Sequence, residues 1–282
     1  PDSMVDHDHI IPNDGSASIV EGTYAQFVVG TPGAGKSTYC AGMSEFMQVL
    51  KRKCIVVNLD PANDHLSYDC AVDIRDLIRL EDVMSMPDDA THDAVALGPN
   101  GALLYCMEYL EQNIDWLKDA LLPYKGQWIL FDCAGQVELY TSHSSMKNIF
   151  RTISDEWQWR TACVHLVDIA HCLDAAKFIS ALLLCLTAIV HLELPHINVL
   201  SKVDQLKQLG RLPLGLQFYT EVLDLEHLLE LLHNDSRIGR LESLNRAICQ
   251  LIEEFSMVKF TPLKIENKRS VFNVMQQIDR AT

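Results

Sequence analysis

The feature that most constrains this chain is the octapeptide Gly30-Thr31-Pro32-Gly33-Ala34-Gly35-Lys36-Ser37, a full match to G-x-x-x-x-G-K-[ST]. It follows a β-like apolar run, Ala25 to Val29, and opens a stretch of helical periodicity, which is the setting the motif needs. Glycines there let the backbone wrap closely, so that successive N–H groups and a helix N-terminus face an anion. In such a loop the lysine, here Lys36, neutralises the β and γ phosphates of a nucleotide, and the hydroxyl of Ser37 binds Mg²⁺. Gly33, Ala34, Gly35, Lys36, Ser37 and Thr38 are therefore the expected phosphate-binding residues, with Ser37 also a metal ligand.

Further β-like runs lie at Cys54 to Leu59, Trp128 to Phe131, Cys163 to Val167, Ile197 to Leu200 and Met257 to Phe260, each separated from the next by helical periodicity. This alternation predicts an α/β fold, a three-layer P-loop NTPase whose mostly parallel central sheet is flanked by helices and binds ligands beyond the carboxyl ends of its strands. After Asn100, the residues Leu103, Met107, Leu110, Ile114, Leu117 and Leu121 step in threes and fours, predicting one helix with a core-packing stripe. The apolar stretch Ala175 to Leu194 approaches membrane-spanning length. It contains Lys177, His191 and Glu193 and falls between two predicted strands, so a buried crossover helix is expected and no membrane association. A helical pair over about 220–256 is expected as an insertion before the last strand. Residues 1–22, polar and acidic, are expected to form a flexible tail, leaving 23–282 as the nucleotide-binding domain.

Composition excludes some classes. A formal charge of -15 predicts an acidic surface that repels nucleic-acid phosphates, so no direct nucleic-acid binding is expected. The nine cysteines form no C-x-x-C pair and several sit in apolar runs, which reads as buried thiols of a reducing compartment. The run Asp6-His7-Asp8-His9 and the group His165, His171 and Cys172 are metal-ligating residue types. The first lacks a second cluster and the second flanks a buried strand, so neither is expected to be a metal site. Trp157 and Trp159 have no interleaved basic residues and are expected to pack.

Two further segments belong with the phosphate loop. Asp132 closes the run QWILFD, a strand end where a carboxylate can hold Mg²⁺ or one of its waters, and Gly135 and Gln136 follow at once. In a nucleotide switch such a glycine lets the backbone approach the γ-phosphate, while a nearby glutamine or carboxylate positions the attacking water. Ser201-Lys202-Val203-Asp204 follows the strand-like HINVL, where GTPases carry an N/T-K-x-D base-reading motif. An aspartate at position 204 can accept both hydrogens of the guanine N1 and N2 edge, which adenine does not supply, and the Lys202 stem can pack over the base. GTP or GDP with Mg²⁺ is the expected ligand set.

These segments together resemble the GPN-loop GTPases. The tripeptide Gly98-Pro99-Asn100 stands within LGPNGALLYCMEYLEQNIDWL, accompanied by VVNLDPAN (56–63), VDIRDLIRLEDVM (72–84), FDCAGQVELY (131–140), VHLVD (164–168), ELPHINVLSKVD (193–204) and FTPLKI (260–265). The resemblance implies a dimeric GTPase, either a homodimer or a heterodimer with another GPN-loop GTPase, in which Asn100 reaches across the interface to the γ-phosphate or attacking water. It also implies that Asp60 lies near the γ-phosphate and metal, that Gln136 and Glu138 face the catalytic water, and that Thr261, Pro262 and Leu263 lie beside the guanine. In cells it implies a cytoplasmic protein, shuttling to the nucleus, that acts with RNA polymerase subunits or assembly factors in the assembly and import of RNA polymerase II and related polymerases. The residues alone also allow Gly98 to Asn100 to be a tight turn with Asn100 capping the next helix.

Two positions depart from the family pattern: Ala134 replaces the usual proline, leaving the loop more entropy to lose on ordering, and Ser201 replaces the asparagine of N-K-x-D. A nucleotide-gated scaffold with negligible hydrolysis is one alternative. A small-molecule kinase is another, although its lid would be rich in arginine and no such cluster appears.

Overall fold

The computed structural model describes residues 22–85, 97–222, 224–233 and 241–282; the Asp6 to His9 run lies outside them. Seven strands form one sheet: β1 (Tyr24–Gly30), β2 (Cys54–Leu59), β3 (Cys70–Asp73), β4 (Trp128–Cys133), β5 (Arg160–Asp168), β6 (His196–Ser201) and β7 (Phe260–Pro262). Their order is β3-β2-β4-β1-β5-β6-β7, and every pairing among the described residues is parallel. Five of the strands coincide with the apolar runs of the sequence. β3 was not among them, because Cys-Ala-Val-Asp is too short to show a pattern and owes its pairing to β2. The last strand is displaced from Met257–Phe260 to Phe260–Pro262: Met257 is exposed, while the register with β6 pairs Asn198 with Phe260 and Leu200 with Pro262.

The helices are α1 (Lys36–Val49), α2 (Leu80–Met84), α3 (Pro99–Gln112), α4 (Ile114–Leu121), α5 (Glu138–Thr141), α6 (Ser144–Arg151), α7 (Ala175–Leu192), α8 (Leu206–Leu209), α9 (Leu216–Glu221), α10 (Glu226–His233), α11 (Glu242–Phe255) and α12 (Lys268–Ala281). Successive strand residues point to opposite faces. Phe27 thus joins a cluster with Phe131, Phe150, Met107, Leu110 and Leu117, whereas Val28 joins one with Tyr39, Met43, Met47, Val274 and Ile278 from α1 and α12. Phe27 stacks on Phe150 with ring centroids 3.8 Å apart and on Phe131 at 5.1 Å. These two clusters on opposite faces make the three layers.

The expected long helix after Asn100 is two helices. Asn113 ends α3, its side-chain amide donating 2.8 Å to the Tyr109 carbonyl, and α4 starts at the next residue. The stripe still serves the core, since Met107, Leu110, Leu117 and Leu121 are buried. α7 is long and apolar enough to cross a membrane by length and composition. It is half buried within the fold, where it makes the crossover from β5 to β6. Its apolar side packs with α10 and α11 in a third cluster that includes Phe178, Leu182, Leu228 and Ile252. In place of the expected helical pair over about 220–256, the described residues form α9, which begins at Leu216, and then α10 and α11.

All nine cysteines are free thiols. His165 is buried and faces His196, with Nδ1 and Nε2 3.4 Å apart, and burial lowers the pKa of the two rings to about 4 and about 3. No cluster of three or more metal-ligating side chains occurs among the described residues. Trp157 and Trp159 meet edge to face at 5.2 Å and pack against the Phe27 cluster.

Candidate functional site

The carboxyl ends of β1, β2 and β4 open onto a cleft of about 800 Å³, whose lining includes Gly33, Gly35, Lys36, Ser37, Thr38, Asp60, Asn100, Gly135, Gln136, Glu138 and Lys202. Its floor is the turn from β1 into α1. Gly33 has φ +77° and Gly35, the N-cap of α1, φ +95°, the left-handed region that only glycine enters without strain. Because of these two residues the backbone turns back on itself and the open end of α1 faces the cleft. Lys36 is buried, its ammonium donating 3.2 Å to the Gly30 carbonyl and 3.5 Å to that of Thr31. Gly135 faces it across the cleft: a Cβ there would stand 3.0 Å from Lys36 Nζ and 3.2 Å from the Pro32 backbone.

Behind the loop lies a carboxylate site. Asp132 is 1% exposed; its Oδ2 accepts from the Tyr68 hydroxyl at 2.8 Å and from the Asn63 amide at 3.4 Å, and the Ser37 hydroxyl also contacts the carboxylate. Asn63 Nδ2 lies 3.2 Å from Ser37 Oγ as well. Asp132 Oδ1 is buried without a partner. Burial pushes the Asp132 carboxyl above the usual range despite the hydrogen bonds from Ser37 and Tyr68 and the nearby Lys36 charge. A buried carboxylate oxygen left unpaired beside a serine hydroxyl is a donor set that suits a hard divalent cation, so the residues present fit Mg²⁺.

Asp60, at the end of β2, is likewise raised by burial, opposed by a hydrogen bond from the Ala62 amide and by Lys36. Its backbone is fixed by the buried Asn58, whose Oδ1 accepts from the Asp60 amide at 3.1 Å and whose Nδ2 donates to Asp73 at 3.0 Å. Asp73 is in turn clamped by Arg75, 2.6 Å away. Gln136 Oε1 is buried without a partner, and Glu138 is exposed at the cleft mouth.

A second, smaller pocket of about 270 Å³ adjoins the first and shares Gly35, Thr38 and Lys202 with it; Ser201, Asp204, Leu263 and Ile265 line the rest. Lys202 adopts φ +57° and its ammonium lies 2.7 Å from Asp168 Oδ2, which anchors its stem along the pocket. The Ser201 hydroxyl donates to the Ala34 carbonyl at 2.7 Å and lies 3.2 Å from that of Val167. This short side chain ties the second pocket to the phosphate loop.

A family profile described as "conserved hypothetical ATP binding protein" matches residues 28–282. The chain is 50% identical over 258 residues to GPN-loop GTPase 2 of Danio rerio, covering 92% of this chain and 80% of that protein. It is 47% identical over 259 residues to GPN-loop GTPase QQT1 of Arabidopsis thaliana, covering 92% and 84%. The chain belongs to the GPN-loop GTPase family. Among solved structures, a GTPase in apo form from Pyrococcus abyssi superposes with a TM-score of 0.71 at 19% identity, covering 92% of this chain and 97% of that one, which supports the fold.

The GPN loop itself sits at the cleft. Gly98 is the N-cap of α3 with no side-chain cap hydrogen bond, Pro99 is the first helical residue, and Asn100 is exposed in the first turn. Asn100 therefore does not cap the helix, and its side chain is free to face the cleft. Of the other expected residues, Ala34 is buried and contributes its carbonyl to Ser201. Leu263 lines the second pocket, but Thr261 and Pro262 do not: they line a separate cleft at the β7 edge, where Thr261 donates 2.7 Å to Gln277. Leu263 stands just past the end of β7, where the chain leaves the edge strand toward the pocket, whereas Thr261 and Pro262 belong to the strand itself. Asn63, Tyr68 and Asp168 went unassigned as ligand-handling residues. Asn63 stood in the family-like VVNLDPAN, Asp168 in the family-like VHLVD, and Tyr68 carried no signal of its own.

Proposed function

We propose that this protein binds GTP with Mg²⁺ and hydrolyses it to GDP and phosphate. The observation that carries the reading is that the phosphate loop with Ser37 and the Asp204 pocket open side by side at the carboxyl ends of one parallel sheet, with Asp132 buried against Ser37 behind them. Backbone N–H groups of Gly33 to Ser37 and the Lys36 ammonium bind the phosphates; Ser37 and Asp132 would hold Mg²⁺, which when bound offsets phosphate charge and polarises the γ-phosphoryl group. Gln136, with a buried acceptor oxygen unpaired, orients the attacking water, while Asp60 and Glu138 offer carboxylates to take its proton. The family profile's description names ATP, whereas the relatives are named GTPases. Asp204 favours guanine, because a carboxylate accepts from N1–H and N2–H together and would face a lone acceptor on adenine.

Titration calorimetry with GTP, GDP and ATP tests this. Wild-type protein should prefer guanine nucleotides, Asp204→Ala should lose that preference, and Lys36→Ala should lose binding to all three. Equal affinity for ATP and GTP in the wild type would remove the guanine assignment.

The wider role rests on family resemblance. We propose a dimer, of two copies or with a related GPN-loop GTPase, in which Asn100 reaches the other subunit's nucleotide; its exposure, with Leu97 and Tyr105 exposed nearby, supports a contact surface there. We also propose action in the cytoplasmic assembly and nuclear import of RNA polymerase II, with the apolar outer face of α11 (Leu244, Leu251, Phe255) as part of the client surface. Capture of a polymerase subunit that survives polar substitution of those three residues would sink this last step.

A further inference from the structure

We infer that Tyr68 and Asn63 are positioning residues for the cation site: they fasten one oxygen of Asp132 and thereby aim the other at the metal. This deepens the Mg²⁺-dependent reading above and rests on it. Residues 60–69 leave the end of β2 and return at β3, and three side chains of this connection, two of them half-buried, reach the site. Tyr68 donates its hydroxyl to Asp132 Oδ2 at 2.8 Å; Asn63 Nδ2 reaches the same oxygen at 3.4 Å and Ser37 Oγ at 3.2 Å; the Ser67 hydroxyl reaches the Ser37 carbonyl at 3.4 Å. Asp132 Oδ1 has no partner and is buried.

The pattern is informative in three ways. A carboxylate turns easily about its last torsion, so fixing Oδ2 fixes the direction of Oδ1. Both donors to Oδ2 are neutral, whereas a buried aspartate with a purely structural role is ordinarily matched by a cation. The nearby Lys36 ammonium, which donates to the Gly30 and Thr31 carbonyls, offsets part of the carboxylate's charge and leaves the rest for a bound cation to balance. Asn63 bridges the two expected ligands, setting the spacing between Ser37 Oγ and Asp132, as outer-shell hydrogen bonds do around metal ligands.

A rival account is that Tyr68 only packs, since its ring lies partly buried against the α1–α12 cluster. Tyr68→Phe separates the two, because it keeps the ring and removes the hydroxyl. The measurements are Mn²⁺ binding to the GDP-loaded protein by electron paramagnetic resonance, the Mg²⁺ dependence of GDP dissociation, and GDP affinity in EDTA. Loss of one hydrogen bond to a charged ligand should weaken the metal about tenfold, with GDP affinity in EDTA changed by less than about twofold. Asn63→Ala should act in the same direction, and Asp69→Asn, an exposed change in the same connection, should leave the metal constants alone. Unchanged metal binding in Tyr68→Phe, or an equal loss of metal and of metal-free GDP affinity, would overturn the assignment. A wild-type protein whose GDP affinity ignores Mg²⁺ would overturn the functional reading as well, so the two failures are distinguishable.

Discussion

Replacing Asp132 by asparagine is expected to make the nucleotide-free protein more stable while abolishing its response to Mg²⁺. The carboxylate is 1% exposed, one of its oxygens has no partner, and burial raises its pKa in spite of Ser37, Tyr68 and Lys36. Asparagine has the same shape and keeps a carbonyl oxygen to accept from Tyr68, but it carries no charge to desolvate. The variant still buries an unpaired amide NH2 where Oδ1 stood, so only the extra cost of burying a charge over a neutral group is recovered, on the order of 1–2 kcal/mol, reduced by whatever attraction Lys36 forfeits. For a chain of this size that is a rise of about 2–3 °C in melting temperature. The sign with pH follows from the raised pKa. The folded state binds the proton more tightly than the unfolded state, so wild-type stability falls as pH rises from the ordinary carboxylate range through the folded pKa. Asp60 is raised too and Asp73 is held low, so the difference between wild type and variant, not the wild-type curve, isolates Asp132. Thermal unfolding in EDTA across pH 5 to 8, repeated with MgCl₂ and GDP, reads both effects. A variant that melts below wild type in EDTA at pH 8 would refute the reasoning, because Lys36 would then already balance the carboxylate.

Asn100→Ala should slow GTP turnover at least tenfold while moving stability by under about 0.5 kcal/mol, since the side chain faces the cleft and makes no cap; single-turnover kinetics and a melting curve check the two halves. Gly30→Ala should destabilise by about 1–3 kcal/mol in denaturant unfolding, because φ is +146° and the new Cβ would meet the Leu166 carbonyl oxygen at 2.5 Å. Ser201→Ala should cost about 1–2 kcal/mol in the same assay and weaken nucleotide binding, as two buried carbonyls lose the donor that joins the base pocket to the phosphate loop.

What the sequence disclosed and what it concealed divide along a physical line. The phosphate loop was readable because its function depends on local spacing: two glycines with positive φ and a lysine one residue into a helix do their work within one turn. The same holds for Ser201 to Asp204 and for Gly98 to Asn100, each a short peptide at the end of a recognisable element. The strands β1, β2, β4, β5 and β6 showed themselves because strands buried on both faces are apolar throughout. By contrast, Tyr68 meets Asp132 across 64 residues and Lys202 meets Asp168 across 34, contacts created only when the sheet brings strand ends together. A tyrosine in a polar connection has no local mark of that use. The break between α3 and α4 was hidden for the opposite reason. It is made by one local amide at Asn113, and the apolar stripe runs through it without interruption.

The same cleft explains why the site carries so much unbalanced polarity. Asp132 is buried and Asp60 half-buried, and the carboxyl of each is raised, yet of the lysines that line the cleft Lys202 is already engaged by Asp168, which leaves Lys36 to face the carboxylates. A fold selected for stability alone would replace such an arrangement with paired or apolar groups. Metal-free triphosphate would meet carboxylates of its own sign there, whereas a divalent cation at Ser37 and Asp132 reverses that sign and lets phosphate, cation and protein attract one another. On the proposed reading the phosphate loop supplies the geometry of binding, and the carboxylates would make that binding conditional on the cation. Because Tyr68, Asn63 and Ser67 all come from the single connection between β2 and β3, whatever holds the cation also holds that connection against the site.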